Sequence, residues 1–199
     1  MLIVRELLLG PLRFSELAKG VGGAPSDVLT RRLRDLEADG VVQRRELVRP
    51  ATGTVYELTD LGRELEGPVL DLGRWGLNFY RLDDLPRLVT ASLANALRVI
   101  LAPAADSEAI LLQLHNEGHS NWLRIGGGES SAGRGEAPRP DLTLAGSAAD
   151  VISAIVVGGE AEERVEVEGD REALLRLRGW VELPERLRAE VEELAVPVS

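Results

Sequence analysis

The chain has 199 residues, 33 acidic against 23 basic side chains, a formal charge of −10 and no cysteine. Without cysteine there is no disulfide, thiolate catalysis or Cys-type zinc site, and two histidines, His115 and His119, leave little for a His-rich centre, so neither metal nor cofactor is expected. An apolar content of 44% with 28% charged residues describes one large or two small folded domains, and with no apolar run near the roughly 20 residues of a membrane span and no signal-peptide plan, a cytoplasmic protein without a membrane partner is expected.

Residues 2–9 are apolar and helix-length, and Gly10-Pro11 ends them. Residues 14–18 form a second short helix, closed by Gly20 and the Gly22-Gly23 pair. Ser26 or Asp27 is the expected N-cap of a third helix running to Ala38 and stopping at Gly40. Two β-type runs, 41–47 and 54–58, flank a Pro/Gly turn at 50–53 and predict a hairpin. Thr59-Asp60 can cap a last helix from Leu61 to about Tyr80. Three helices followed by a hairpin is the winged helix-turn-helix order.

Periodicity supports that order. Leu29, Leu33 and Leu36 make one buried stripe on the third helix. At about 100° per residue, Asp27, Arg31 and Arg34 project from the opposite side with Thr30 beside them, where a recognition helix needs polar groups. The hairpin supplies Arg44, Arg45 and Arg49, suited to phosphate or minor-groove contact. Adjacent strand residues face opposite ways, so one of Arg44 and Arg45 is expected to face DNA. The expected DNA-binding set is Ser26, Asp27, Thr30, Arg31, Arg34, Arg44, Arg45 and Arg49. The competing reading is a solvated helix face with Arg31–Asp35 and Arg34–Glu37 pairs, and Arg32, at the edge of the leucine stripe, suits an internal salt bridge. Leu65, Val69, Leu72, Trp75 and Phe79 repeat at helical spacing, as a dimer seam or as packing against a second domain.

The stretches "LLLGPLRFSELAKG", "VLTRRLRDLEADGVVQRR" and "VYELTDLGRELEGPVLDLGRWG" resemble the HxlR-type winged-helix transcription regulators, relatives of the MarR group. The resemblance covers about residues 2–76 and implies a dimeric DNA-binding repressor or activator. Family members usually begin about one helix earlier, often with a cysteine there. Here Met1 opens directly on the first helix, so either the start is misassigned or a segment that helps dimerisation is lacking. Thiol sensing is excluded by the missing cysteine. One lysine, Lys19, against 22 arginines looks like GC-rich codon usage and hints at a bacterial source.

Beyond residue 86 the texture changes. A helix is expected over 87–101, and strands over 109–115 and 120–125 around an Asn116-Glu117-Gly118 turn. Residues 126–140 read as a long mobile loop, with Gly126-Gly127-Gly128 as its flexible start. A strand at 141–144, a Ser147-capped helix to Val157, a strand at 164–168, a helix from Arg171 to Leu177 and an acidic helix at 185–195 complete the chain. "PDLTLAGSAADVISAIVVGG" and "VEVEGDREALLRL" resemble the lipid-binding domain of the sterol carrier protein family over about residues 86–180. That resemblance implies an α/β layer with a mostly antiparallel sheet over an apolar cavity, and an apolar small molecule as effector. Leu112, Leu114, Trp122, Ile125, Ile152, Ile155 and Val156 are the candidate lining, or equally plain core.

Other chemistries find no constellation. His115 and His119 flank a turn without a ligand pattern, the triple glycine has no P-loop Lys-Ser/Thr, and no Gly-x-Ser-x-Gly elbow occurs. The expected class is α+β: a winged helix-turn-helix DNA-binding and dimerisation domain at 1–81, then a sterol-carrier-like domain at 86–199. The expected function is a bacterial, non-enzymatic, homodimeric regulator that reads a pseudo-palindromic operator in double-stranded DNA under control of an apolar effector. A lipid or small-molecule carrier whose winged helix mediates protein contacts is the rival. Residues 1–85 hold a net −2 and residues 86–199 a net −8, while 31–49 are locally +2, which fits two functional regions.

Overall fold

Leu29 and Leu33 are shielded from solvent and Leu36 packs beside them, so the leucine stripe is the seam on which the amino-terminal unit is built. The computed structural model describes residues 1–47, 52–81, 84 and 93–195. The chain divides into two compact units, Met1–Leu70 and Asp71–Ser199.

In the first unit α1 (Leu2–Leu7), α2 (Phe14–Gly20) and α3 (Ser26–Ala38) precede a hairpin of β1 (Val42–Leu47) and β2 (Gly53–Leu58). The strands pair antiparallel, Val42 opposite Leu58 and Leu47 opposite Gly53. Leu12 joins the edge of this two-stranded sheet as a single bridge residue, through two backbone bonds with Tyr56. Val4, Leu7, Leu17, Leu29, Leu33, Val42, Tyr56, Leu58 and Val69 form the core. The N-cap of α3 is Pro25, not Ser26 or Asp27: Ser26 is already helical, and its carbonyl accepts the Thr30 hydroxyl at 2.6 Å. Thr59 does cap the next helix, its Oγ1 accepting from Gly62 N at 3.0 Å.

The expected continuous helix over 61–80 is divided. It runs as α4 (Asp60–Arg63), a turn, α5 (Glu66–Gly76) and a 3₁₀ turn, Leu77–Phe79. Pro68 has no N–H to offer the carbonyl of Glu64, so a break upstream puts it in the first turn of a new helix, where no donor is needed.

In the second unit α6 (Leu93–Ile100) precedes a five-stranded sheet. Its strands are β3 (Ile110–Asn116), β4 (His119–Gly126), β5 (Glu129–Arg134), β6 (Leu142–Ala145) and β7 (Glu166–Gly169), in the order β5-β4-β3-β6-β7. Only β3 and β6 pair parallel in that sheet, so it is mostly antiparallel. Helix α7 (Ala148–Val156) follows β6, and α8 (Arg171–Gly179) and α9 (Glu185–Ala195) follow β7 in succession. Ser147 caps α7 through Asp150 N, and Asp170 caps α8 through Glu172 N. Ile110, Leu112, Leu114, Leu123, Leu142 and Leu144 are fully buried on one face of the sheet.

The loop expected over 126–140 is a strand for half its length. Gly127 and Gly128, at φ 65° and 76°, make a two-residue turn that folds β5 back onto β4. Both glycines occupy the left-handed region that such a turn requires. The hairpin at Glu117 and Gly118, φ 49° and 80°, uses the same geometry. The rest of that segment is tied down as well: Ala137 N donates to Gln113 Oε1 at 2.6 Å, and Asp141 N to the Leu111 carbonyl at 2.8 Å. The early part of the helix expected at 87–101 lies outside the described residues, as does the hairpin tip with Arg49.

Candidate nucleic-acid interface

The face of α3 opposite the leucine stripe is polar and open. Asp27, Arg31 and Arg34 are exposed there, with Ser26 at the helix start and Thr30 half-buried beside them. Neither Arg31 nor Arg34 has an ion pair among the described residues; the pairs Arg31–Asp35 and Arg34–Glu37 do not form. Asp35 instead pairs with Arg32 at 3.5 Å, and Glu37 with Arg44 at 2.8 Å. Asp35 and Glu37 are therefore held by other arginines, leaving two guanidinium groups pointing outward.

The two described hairpin arginines face opposite ways, as strand alternation requires. Arg44 sits across from Tyr56, its guanidinium 5.3 Å from the ring centroid, and its bond to Glu37 ties β1 to α3. Arg45 lies on the other face, bonded to Glu57 Oε2 at 2.9 Å, while Gln43 donates to Glu57 Oε1 at 3.0 Å. Burial raises the Glu57 carboxyl, but the bonds from Arg45 and Gln43 and the charges of Arg45 and Arg63 outweigh it, holding its pKa below the ordinary value. Both arginines are 48% exposed and both are paired, but Arg44 bridges to α3 through Glu37, whereas the partner of Arg45 lies on the neighbouring strand, so Arg45 is the described hairpin cation on the outer face. Among the described residues this assembles Ser26, Asp27, Thr30, Arg31 and Arg34 on one helix, with Arg45 on the hairpin.

Sequence reasoning missed Arg13. Its guanidinium donates to the Thr52 carbonyl at 2.8 Å, joining the start of α2 to the start of β2. Its position directly before a helix start gave no hint of a partner 39 residues away.

The seam candidates separate into two groups. Val69 belongs to the core of the first unit and Leu65 packs against it. Leu72, Trp75 and Phe79 are 50%, 61% and 65% exposed, and Trp75 meets Phe79 edge-on with centroids 4.8 Å apart. These three residues form the exposed apolar part of the repeat.

The ligand candidates do not share a face. Leu112, Leu114 and Ile125 point to the buried side of the sheet. Trp122 sits opposite Gln113, on the other side, over Gly133, where a Cβ would come within 2.7 Å of the indole. Ile152 and Ile155 are buried on α7 and Val156 is half-buried. Two surface grooves of the second unit, about 420 and 400 Å³, are lined by none of the seven. No cluster of His, Asp and Glu suited to a metal occurs among the described residues. None of the described helices is long and apolar enough to cross a membrane.

Residues 1–84 match the family model described as HxlR-like helix-turn-helix. Over 76 residues the chain is 40% identical to YtcD of Bacillus subtilis, an uncharacterized HTH-type transcriptional regulator, covering 38% of this chain and 60% of that protein. It is 36% identical over 74 residues to YvaP of the same organism, also an HTH-type transcriptional regulator, covering 37% of this chain and 68% of YvaP. A crystal structure of YtcD aligns at 39% identity with a TM-score of 0.36, covering 39% of this chain and 79% of that one. The chain thus spans less than two thirds of the length of YtcD.

Proposed function

Because the chain belongs to the HxlR-like helix-turn-helix family, we propose that it is a sequence-specific, DNA-binding transcription regulator that lays α3 in the major groove. The observation that carries this reading is the pair of outward, ion-pair-free arginines, Arg31 and Arg34, opposite the buried stripe of α3. Polar groups at that position reach base edges and phosphates, and a hairpin beside the helix reaches the flanking backbone. Arg45 would supply the hairpin contact on the described strands by exchanging its exposed pair with Glu57 for a phosphate, with Arg49 from the segment between the strands.

The regulator acts as a homodimer in the cytoplasm and carries out no catalysis. Leu72, Trp75 and Phe79 form the dimer seam, and two recognition helices about one DNA turn apart, roughly 34 Å, engage a pseudo-palindromic operator. The division into a DNA-binding domain and a sterol-carrier-like domain gives control by linkage. An apolar effector that favours one arrangement of the two recognition helices shifts operator affinity, and one with equal affinity for both changes nothing.

A mobility-shift assay of the full chain with DNA from upstream of its own gene tests the reading. Sequence-selective, salt-sensitive binding is expected; a dimer that retards specific and scrambled DNA equally defeats it. The rival, a lipid carrier whose winged helix makes protein contacts, predicts a retained apolar molecule in native mass spectrometry with no effect on DNA affinity.

A further inference from the structure

We propose that Arg13 is a positioning residue of the DNA-binding surface, a strut that fixes the hairpin to the helix-turn-helix so that both meet DNA together. The proposal rests on the DNA-binding reading above.

The chain enters α2 through an extended Leu12, whose N–H donates to the Tyr56 carbonyl at 3.0 Å and whose carbonyl accepts from Tyr56 N at 2.8 Å. Arg13 follows in extended backbone, its own N–H donating to Glu16 Oε2 at 2.6 Å, which locks it to the first turn of α2. From that fixed point its side chain reaches the far end of the hairpin and donates from Nη2 to the Thr52 carbonyl at 2.8 Å. Thr52 immediately precedes β2, at the end of the strand farthest from the core contact of Leu58.

The neighbouring backbone fits this contact. Gly53 has a φ of +120°, and a Cβ there would collide with the Arg13 guanidinium. Glycine suits position 53 because of this backbone conformation, and a side chain there would have to displace the Arg13 guanidinium.

The hairpin is anchored to the core by the buried Val42, Tyr56 and Leu58. Its outer half, from Arg44 to Glu46 and at Gly53 and Thr54, is exposed. Two ties hold that half: Arg44 to Glu37 on β1, and Arg13 to Thr52 on the β2 side. A charge-assisted bond to a backbone carbonyl is strong and directional, and this one restrains the strand that runs on to the tip. Placement matters because hairpin arginines contribute only when they meet phosphates at the same time as α3 meets bases.

The test uses the full chain with Arg13→Ala and Arg13→Gln, the latter keeping a polar side chain if alanine impairs folding. Hydrogen exchange at the amides of residues 53–56 is expected to quicken in both, with the α3 amides unchanged. Operator affinity is expected to fall by about tenfold, because the hairpin ordering that the bond supplies beforehand must then be made on binding. In an Arg45→Ala background the same change is expected to cost clearly less, because the hairpin contact it positions is already weakened. Unaltered exchange with unaltered affinity overturns the proposal. A full, additive loss in the Arg45→Ala background also overturns it, showing that Arg13 touches phosphate itself. A wild-type chain that binds no operator overturns the reading beneath it, whereas wild-type binding untouched by the Arg13 variants overturns the strut alone.

Discussion

Replacing Arg31 and Arg34 together by alanine should remove two phosphate or base contacts without unfolding α3. Neither side chain has an ion pair among the described residues, and both project from the exposed face opposite Leu29 and Leu33. Alanine favours helix at least as well as arginine, so thermal unfolding should shift little. The electrostatic consequence can be worked out. Each phosphate contact contributes about 0.9 to the slope of log affinity against log salt, so two contacts contribute about 1.8. Between 50 and 200 mM salt the ratio of wild-type to variant affinity should therefore shrink by about 12-fold. Fluorescence anisotropy with a labelled operator fragment, titrated at four or five salt concentrations, measures both slopes. Arg32→Ala is the internal control: it carries the same charge one residue away, but is paired with Asp35 at 3.5 Å, and it should alter the slope much less. Equal slopes for wild type and the double variant would show that this face does not meet phosphate. An Arg32 effect as large as the double variant's would mean that general charge, rather than this face, is responsible.

The remaining outcomes test the scaffold and the seam. Gly62→Ala drives a Cβ into the Val41 carbonyl, a backbone atom held by Thr59 N at 3.1 Å; the cost should be about 2–3 kcal/mol, lowering the melting temperature by roughly 10 °C, and an unchanged melting curve refutes the packing argument. The Glu57 pKa is depressed in the folded chain, so its stabilisation should be complete above the ordinary glutamate range and vanish as pH falls through the depressed value. The stability difference between wild type and Glu57→Gln at pH 7 should then close towards pH 3 in denaturant titrations; a difference that grows on acidification contradicts the sign. Trp75→Ala removes a 61% exposed indole and its edge contact with Phe79, and should weaken the proposed dimer about tenfold or more in sedimentation equilibrium. A dimer of undiminished affinity moves the seam elsewhere.

Much of the architecture was legible because its causes are local. The spacing of Leu29, Leu33 and Leu36 marks the buried face of α3, and Thr59, Ser147 and Asp170 cap the helices that follow them. β5 was not legible. Glu-Ser-Ser-Ala-Gly-Arg has no apolar alternation, and what holds it is non-local: backbone pairing to β4, and the buried Arg98 guanidinium bonding Ser130 from 32 residues away. The placement of Trp122 is legible in the turn. A two-residue turn at Glu117-Gly118 fixes the pairing of Asn116 with His119, and counting back by register sets Trp122 against Gln113, away from Leu112 and Leu114. The interface lies between these cases. Helical periodicity gave its exposed face, but not which arginines are occupied: Arg44 is diverted to Glu37 and Tyr56, and Arg45 to Glu57.

The charge of −10 then acquires a physical reading. Met1–Leu70 carries a net −1 and Asp71–Ser199 a net −9. Within the first unit, Asp35, Glu37 and Glu57 are each engaged by an arginine, and the ion-pair-free Arg31 and Arg34 lie on α3. Near neutrality with local cationic groups is enough for close-range phosphate contact, because screening at physiological salt cuts exposed charge interactions beyond about 8 Å. In the DNA-binding reading proposed above, the acidic second unit would repel DNA at longer range, and most strongly at low salt. Such repulsion opposes every DNA sequence equally, whereas the contacts of α3 are realised only in the docked complex. Its effect is to lower sequence-independent binding while leaving the ratio between operator and other DNA to the helix, and that ratio is the quantity a regulator has to deliver.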